Sequence, residues 1–235
     1  MKKLKSLISY FTIFEIILWA TSVALIVVSY FLFKGQNFYS MLLSLVGVTA
    51  LIFCAKGNPI GQGLCIIFGA FYGYVSYTFK YYGEMITYLG MSVPMAIISL
   101  ITWLKNPFNE NKSEVTVNQI KGKELILLPF LTCCVTFSFF FILRALGTAN
   151  LIVSTVSIAT SFTAVYLTMR RSPFFAIAYA VNDIVLIVLW IMASLIDISY
   201  ISIVVCFAVF FINDMYGFIN WLSMQKRQKR KNNLE

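Results

Sequence analysis

Residues 174–195 read FFAIAYAVNDIVLIVLWIMASL, and this stretch decides the fold. An α-helix needs about 20 apolar residues to cross the hydrocarbon core of a bilayer, and this run has that length. Its only Asp, Glu, Lys or Arg residue is Asp183, which follows Asn182 near the middle. Polar side chains at that depth are costly and usually face the interior of a helix bundle. The stretch therefore predicts a membrane-spanning helix with a polar site at its centre.

The composition extends this interpretation to the whole chain. Of its 235 residues, 60% are hydrophobic and 11% are charged, whereas about 25% are charged in a typical soluble domain. Lipid restricts a spanning chain to helices or closed barrels. The apolar segments are long continuous runs without the alternation of a membrane barrel. We therefore predict an all-α polytopic membrane protein.

Helix-breaking residues (mainly Gly, Pro and Asn) and charged residues divide the chain into eight apolar runs. The polar stretch 105–123 predicts a linker between two halves. The first run follows Lys2, Lys3 and Lys5 but is too long for a signal-peptide core, so we expect it to be retained. The predicted helices are 13–33, 40–55, 60–79, 84–104, 124–143, 150–169, 174–195 and 199–222. The predicted units are an extra N-terminal helix (1–39), a three-helix bundle (40–105), a cytoplasmic linker with a connector helix (106–149), a second bundle (150–224) and a basic tail (225–235).

The distribution of positive charge predicts the orientation, because Lys and Arg concentrate in cytoplasmic loops. With eight spans, only Lys34, Lys80 and Arg144 of the 18 Lys and Arg residues lie on the outer side. We therefore predict a multi-pass protein of a bacterial inner (plasma) membrane with both termini in the cytoplasm. The basic tail predicts contact with anionic lipid and no binding of nucleic acid.

The ends of two runs are alike. Run four ends Ile101-Thr-Trp103-Leu104, and run eight ends Ile219-Asn-Trp221-Leu222. Each closes a block of three helices, and run five joins the blocks, so both blocks have the same orientation. This 3+1+3 layout is typical of parallel-repeat transporters, which bind substrate between the halves near the midplane.

Polar and aromatic residues within the runs are the candidate substrate-binding residues. Spacing places Tyr179, Asn182, Asp183 and Trp190 on one helix face. Such groups suit a ligand with hydroxyls and a flat ring, such as a nucleoside or heterocyclic vitamin. The alternatives are interhelical hydrogen bonds, or a proton or sodium site at Asp183 that drives coupled transport. The other candidates are Asn213, Asp214, Tyr216 and Asn220 in run eight and Gln62 and Tyr72 in run three.

Enzyme classes fit the sequence poorly. The chain has no His, so Ser-His and Cys-His catalytic pairs and imidazole metal sites are excluded. Its five cysteines all lie in apolar runs, where they predict packing. We expect no cofactor, no metal and no catalytic residue. A membrane receptor or scaffold and a membrane-embedded enzyme are the alternatives from other classes.

Several motifs together resemble the PnuC family of transporters for nicotinamide riboside and related vitamins. They are Tyr81-Tyr-Gly-Glu84-Met-Ile86, Val93-Pro-Met95 with Trp103, Met169-Arg-Arg171 before Asp183 and Leu189-Trp190, and Asn213 with Tyr216-Gly217 and Asn220-Trp221. The resemblance implies a fold like that of the SWEET sugar carriers, commonly a homotrimer. It also implies facilitated diffusion with trapping by a cytoplasmic kinase, which phosphorylates the product. Asp183 and the Asn213–Asn220 face would line the substrate cavity.

The sequence departs from this family at the start of run seven. Nicotinamide riboside carriers have Glu and then Trp-x-x-Trp there, whereas this chain has Phe174 and then Ala176-x-x-Tyr179. An Asn common in the family is replaced by Thr87 or Tyr88, which adds Tyr88 to the candidates. The resemblance implies nicotinamide riboside as the substrate, with a deoxynucleoside, thiamine or riboflavin as alternatives.

Overall fold

A computed structural model describes residues 10–35, 38–78, 82–109, 111–148 and 150–233, and most of them are helical. Helix α4 has three consecutive parts, which are α-helical Tyr82–Thr87, π-helical Tyr88–Ser92 and α-helical Val93–Lys105. The other helices are α1 (Ile13–Leu32), α2 (Phe38–Ala55), α3 (Pro59–Thr78), α5 (Glu124–Ala145), α6 (Leu151–Met169), α7 (Phe174–Ser194) and α8 (Ile201–Asn232). The linker after α4 contains a hairpin of β1 (Pro107–Phe108) and β2 (Asn111–Val115).

The prediction of an all-α, multi-pass membrane protein is confirmed. Seven helices of the described chain are long and apolar enough to cross a membrane. Helix α3 is also 20 residues long, but glycines and tyrosines lower its hydropathy. The prediction was wrong about the end of α8, which extends ten residues past 222 to Asn232. Basic residues at 229–231 favour this extension because they oppose the negative end of the helix dipole.

Six of the helices form a closed ring. Around it, α2 contacts α3, α3 contacts α4, α4 contacts α6, α6 contacts α7, α7 contacts α8, and α8 contacts α2. Helix α1 packs against α2 and α8, and α5 packs against α6. A ring of this kind surrounds its own interior, so polar side chains that point inward are shielded from lipid.

The turns that follow α2 and α6 are alike in sequence and backbone geometry. The first is Lys56-Gly57-Asn58-Pro59 and the second is Arg170-Arg171-Ser172-Pro173. Gly57 has a φ of 67° and Arg171 a φ of 56°, so each turn has a left-handed residue at the same place. Such a residue ends a helix, and the proline two positions later favours the start of the next.

The linker crosses the bundle at the end where these turns lie, which we call the basic end. The N–H of Val115 donates to the Gly57 carbonyl oxygen, and the N–H of Asn118 donates to the Arg171 carbonyl oxygen, both at 3.0 Å. Gln228 of α8 accepts from the N–H of Val117 at 2.8 Å and donates to the Val115 carbonyl oxygen at 3.0 Å. The linker is therefore bonded to both halves and to the last turns of α8.

Candidate functional site

Two acidic residues meet inside the ring. Asp183 of α7 and Asp214 of α8 lie close enough for their carboxyl groups to share a hydrogen bond. Only 4% of Asp183 and 5% of Asp214 is exposed. The ion pairs of the described chain are Lys56–Glu15, Arg170–Glu124 and Arg227–Glu114, so neither aspartate has a cationic partner there.

Neutral polar groups from four helices lie beside this pair. Tyr179, one helical turn before Asp183, hydrogen-bonds Thr168 of α6 and lies near Asp214. Gln62 Nε2 lies 3.3 Å from the Sγ of Cys54, to which it donates. We call the following set the carboxyl cluster: Asp183, Asp214, Tyr179, Gln62, Cys54 and Cys65. Four of its six members were predicted as substrate-binding residues, and those roles stay predictions.

Asn182 and Trp190 face other parts of the molecule. The Oδ1 of Asn182 accepts from Thr160 Oγ1 at 2.8 Å and from Ser161 Oγ at 3.0 Å. The Trp190 ring packs on Tyr200, with 5.3 Å between ring centroids. Adjacent helical positions point about 100° apart, so Asn182 faces α6 while Asp183 faces α8. The structure therefore separates these two candidates from the carboxyl cluster.

The polar face predicted on α8 is turned toward α1 and α2. Asn213 Nδ2 donates to Ser22 Oγ at 3.0 Å, and Asn220 Nδ2 donates to the Ala55 carbonyl oxygen at 2.8 Å. The Tyr216 hydroxyl donates to Glu15 Oε1 at 2.8 Å. These three side chains connect helices, as polar residues commonly do in membrane bundles. Asp214, by contrast, points toward α7.

The sequence interpretation missed a buried charge network around Glu15. This residue is 1% exposed, and the Nζ of Lys56 lies 3.0 Å from both of its carboxylate oxygens. Glu15 also accepts from the N–H of Thr12, whose hydroxyl accepts in return from the N–H of Glu15, so the pair caps α1. The signal in the sequence was an acidic residue within the first apolar run.

Tyr72 and Tyr88 come together in the first half. Their ring centroids lie 4.5 Å apart, and Phe68 packs beside both. Tyr88 begins the π-helical part of α4, a distortion that occurs frequently at functional sites. In the same region, Tyr81 and the side chain of Glu84, on which part of the resemblance rests, lie outside the described residues.

An apolar layer separates the carboxyl cluster from the basic end. Trp103 and Trp221 are fully buried, and their ring centroids lie 5.4 Å apart. Phe175 packs edge-on against Trp221 at 4.9 Å. The layer also contains Val115 of the linker on one side and Cys54 of the carboxyl cluster on the other. This packing closes the basic end of the ring.

A cavity of ≈280 Å³ lies beyond this layer, at the basic end. Lys56 and Arg227 bring positive charge to it, and Glu114 brings negative charge. Its lining residues are Tyr10, Lys56, Ser113, Glu114, Asn220, Ser223, Met224 and Arg227. The predicted residue Asn220 therefore lies at this cavity.

Arginines after α6 add charge at the basic end. Arg170 donates to both carboxylate oxygens of Glu124, and this hydrogen bonding raises the pKa of Arg170. Burial lowers the pKa of Arg171, and the charge of Arg170 lowers it further. Burial also raises the pKa of the Tyr10 phenol. Within the residues that the structure describes, no group of three His, Cys, Asp or Glu side chains could hold a metal ion.

Comparison with known families identifies the type of protein that has this arrangement. Residues 37–223 match the model of the family described as nicotinamide mononucleotide transporter. This chain belongs to that family. The match confirms the resemblance inferred from the motifs, and it begins where α1 has ended.

Two curated relatives of the family share the sequence over most of its length. The nicotinamide riboside transporter PnuC of Neisseria mucosa is 26% identical over 202 residues, which are 84% of this chain and 76% of that protein. The PnuC of Haemophilus influenzae is 23% identical over 193 residues, which are 82% of each chain. A crystal structure of the vitamin B3 transporter PnuC superposes with a TM-score of 0.77 at 24% identity, covering 93% of this chain and 94% of the other. The fold is therefore that of a known PnuC transporter.

Proposed function

We propose that this member of the nicotinamide mononucleotide transporter family carries nicotinamide riboside across the membrane. The observation that carries the proposal is the carboxyl cluster, which lies within a closed ring of six helices. Both curated relatives are nicotinamide riboside transporters, which supports the same substrate here. A transporter of this kind binds a polar solute between its halves and exposes it to each side in turn.

The chemistry of the cluster suits a riboside. Carboxyl and carboxamide oxygens accept hydrogen bonds from ribose hydroxyls, and Asp183, Asp214 and Gln62 supply such oxygens. Tyr179 can donate or accept, and aromatic rings such as Tyr72 and Tyr88 offer faces for a flat heterocycle. A ligand that reaches this site exchanges its hydrogen bonds with water for bonds with these groups.

Net uptake would occur by facilitated diffusion. The basic end would face the cytoplasm of a bacterial cell, by the rule that positive charge stays inside. A cytoplasmic kinase that phosphorylates the riboside would then keep it in the cell, because the added charge prevents its return. In this scheme the inner membrane protein sets only the rate at which substrate equilibrates.

The first test is binding to the purified, detergent-solubilised protein, measured by calorimetric titration. The ligand panel is nicotinamide riboside, thiamine, riboflavin and a set of ribo- and deoxyribonucleosides. We expect nicotinamide riboside to bind and to enter liposomes that contain the protein until its concentrations on both sides are equal. Binding of another panel member, with none of nicotinamide riboside, would overturn the proposed substrate.

A different substrate is the second candidate, and the departure of the sequence from the family at Ala176 favours it. This residue is buried in the apolar layer, and a Cβ built on Gly217 would lie 3.6 Å from the Cβ of Ala176. The position of Ala176 corresponds to the first tryptophan of the Trp-x-x-Trp motif that nicotinamide riboside carriers have, by the resemblance described above. A pocket without that ring could accept thiamine, riboflavin or a deoxynucleoside, which the same panel tests.

Ion-coupled uptake through Asp183 is an alternative mechanism for the same carrier, because an acidic residue at this depth could bind a proton or Na⁺. Liposome uptake with and without a proton or sodium gradient separates the mechanisms. Facilitated diffusion predicts the same final internal concentration in every case. Accumulation above the external concentration under one gradient would establish coupling to that ion.

A further inference from the structure

The carboxyl groups of Asp183 and Asp214 form a pair whose charge is balanced by nothing in the described chain. We infer that this pair holds one proton and one negative charge, and that it selects substrates whose heterocycle carries a fixed positive charge. The inference rests on the proposed function and specifies which ligands of that kind the site accepts. It follows from the geometry of the pair, the groups that surround it and the chemistry of the panel ligands.

The distance between the two carboxyl groups limits their charge. Two carboxylates at hydrogen-bonding distance repel each other, and burial removes the water that would screen them. Pairs of this kind share one proton between them. The proton joins the two groups as a carboxyl–carboxylate hydrogen bond and leaves a single negative charge on the pair.

The groups that face the pair are neutral. On α7 and α8 these are Tyr179 and Cys206, and on α2 and α3 they are Cys54 and Cys65. The charged groups of the Glu15 network belong to the interface of α1 with α2 and α8. Nothing in the described part of the chain therefore supplies a cation to balance the pair.

One oxygen of the pair also lacks a donor. The Oδ2 of Asp183 is buried, and none of the described side chains or main-chain N–H groups donates a hydrogen bond to it. A buried charge without a partner is costly, and proteins usually pair such charges. A bound cation next to this oxygen would remove that cost.

The candidate ligands differ in the charge of the heterocyclic ring that would lie next to the Asp183–Asp214 pair. The ring nitrogen of nicotinamide riboside is a pyridinium with a permanent positive charge, and the thiazolium ring of thiamine has one as well. Riboflavin and the common nucleosides are neutral at pH 7. Electrostatic attraction across a buried site is much stronger than in water, so the pair would favour the first two ligands.

A matched pair of ligands tests this preference. Reduced dihydronicotinamide riboside has almost the same shape as nicotinamide riboside, but its ring is neutral. We expect the purified wild-type protein to bind the cationic form at least 10-fold more tightly than the reduced form. Equal affinity for the two forms would overturn the inference and leave the proposed substrate in place. Failure to bind either form would overturn the proposed function together with the inference.

Variants of the pair give a second test. Either single change to asparagine leaves one carboxylate in the pair, so the variant that removes the charge and keeps the shape is Asp183→Asn/Asp214→Asn. It should weaken binding of the cationic form at least 10-fold and weaken binding of the reduced form, which loses only acceptor oxygens, by a clearly smaller factor. Asp197→Asn is the matched control, because Asp197 caps the 3₁₀ turn before α8 and an asparagine can do the same. Equal losses for both forms in the double variant would contradict recognition of charge.

The shared proton has a readout that needs no ligand. A protonated carboxylic acid has an infrared carbonyl stretch that a carboxylate lacks. We expect this band in wild-type protein at neutral pH and its loss in the double variant Asp183→Asn/Asp214→Asn. Wild-type protein without such a band would overturn the shared proton, even if the variants fold poorly.

Discussion

Trp103 and Trp221 bond crosswise between the two halves of the ring. Trp103, near the end of α4, donates its indole N–H to the carbonyl oxygen of Thr168 in α6 at 2.9 Å. Trp221 of α8 donates in the same way to the carbonyl oxygen of Cys54 in α2 at 2.8 Å. Each tryptophan therefore donates a hydrogen bond to a helix of the other half, just before the left-handed turn that ends that helix. The two bonds make the apolar layer a connection between halves.

Replacing Trp221 should open this layer. In Trp221→Phe the Cys54 carbonyl oxygen loses its donor and the smaller ring fills less space, so water should reach Cys54 from the basic end. A water-soluble thiol reagent should label Cys54 at least 10-fold faster than in wild-type protein, with the site identified by mass spectrometry. Trp19→Phe is the control, because Trp19 bonds Thr49 at the α1–α2 interface. Unchanged labelling would show that Trp221 does not seal the basic end.

The Glu15 network should hold α1 to the ring. Glu15→Gln leaves the Lys56 ammonium without its carboxylate, and breaking a buried ion pair costs about 3–5 kcal/mol. We expect a clear fall in the thermal midpoint, measured in detergent. Glu114→Gln is the control, because Arg227 is more than half exposed and a glutamine at 114 keeps an oxygen that can accept from Gln228. A pair that is open to water on one side contributes less than a buried one. Equal effects of both changes would rule out a special role for the buried pair.

Gln228 should fix the linker to α8. In Gln228→Ala the N–H of Val117 and the carbonyl oxygen of Val115 lose a partner, so the linker should open more often. Trypsin should then cleave after Lys112 or Lys121 several-fold faster than in wild-type protein. Gln225→Ala, on the preceding turn of α8, should leave the cleavage rate unchanged. Equal rates in both variants would mean that other contacts hold the linker.

Two glycines of α3 should respond oppositely to alanine. A Cβ on Gly61 would lie 2.7 Å from the Cys54 main-chain nitrogen and 2.6 Å from its sulfur, so Gly61→Ala must push α2 and α3 apart. Gly63 has nothing within 4 Å of such a Cβ, and alanine favours a helix by about 1 kcal/mol over glycine. Thermal unfolding should show destabilisation for Gly61→Ala and no loss for Gly63→Ala. The reverse order would contradict the close packing of α2 on α3.

The extent of each helix could be predicted from the sequence, because the length of an apolar run and the helix-breaking residues that end it are local properties. Predicted and observed boundaries differ by at most two residues in most runs, and Trp103 and Trp221 stood out as matching ends. The partner of each polar face depends instead on how helices are arranged around the ring. Asn213, Tyr216 and Asn220 share a face, but nothing local showed that α1 and α2 would cover it. Pro94 predicted a distortion of α4, because its ring clashes with the carbonyl oxygen four residues earlier, but nothing in the sequence showed that the distortion would be a π-helical turn.

The closed ring has a consequence for biosynthesis. Helices enter the membrane in the order in which they are made, and α8 is the last of the described helices. It supplies the contacts with both α2 and α7, and it carries Trp221 and Gln228. Until α8 is inserted, the Cys54 carbonyl oxygen lacks this indole donor and the linker lacks its hydrogen bonds to Gln228. Before α8 enters the membrane the ring is open between α2 and α7, so insertion of α8 is the step that closes the interior to lipid.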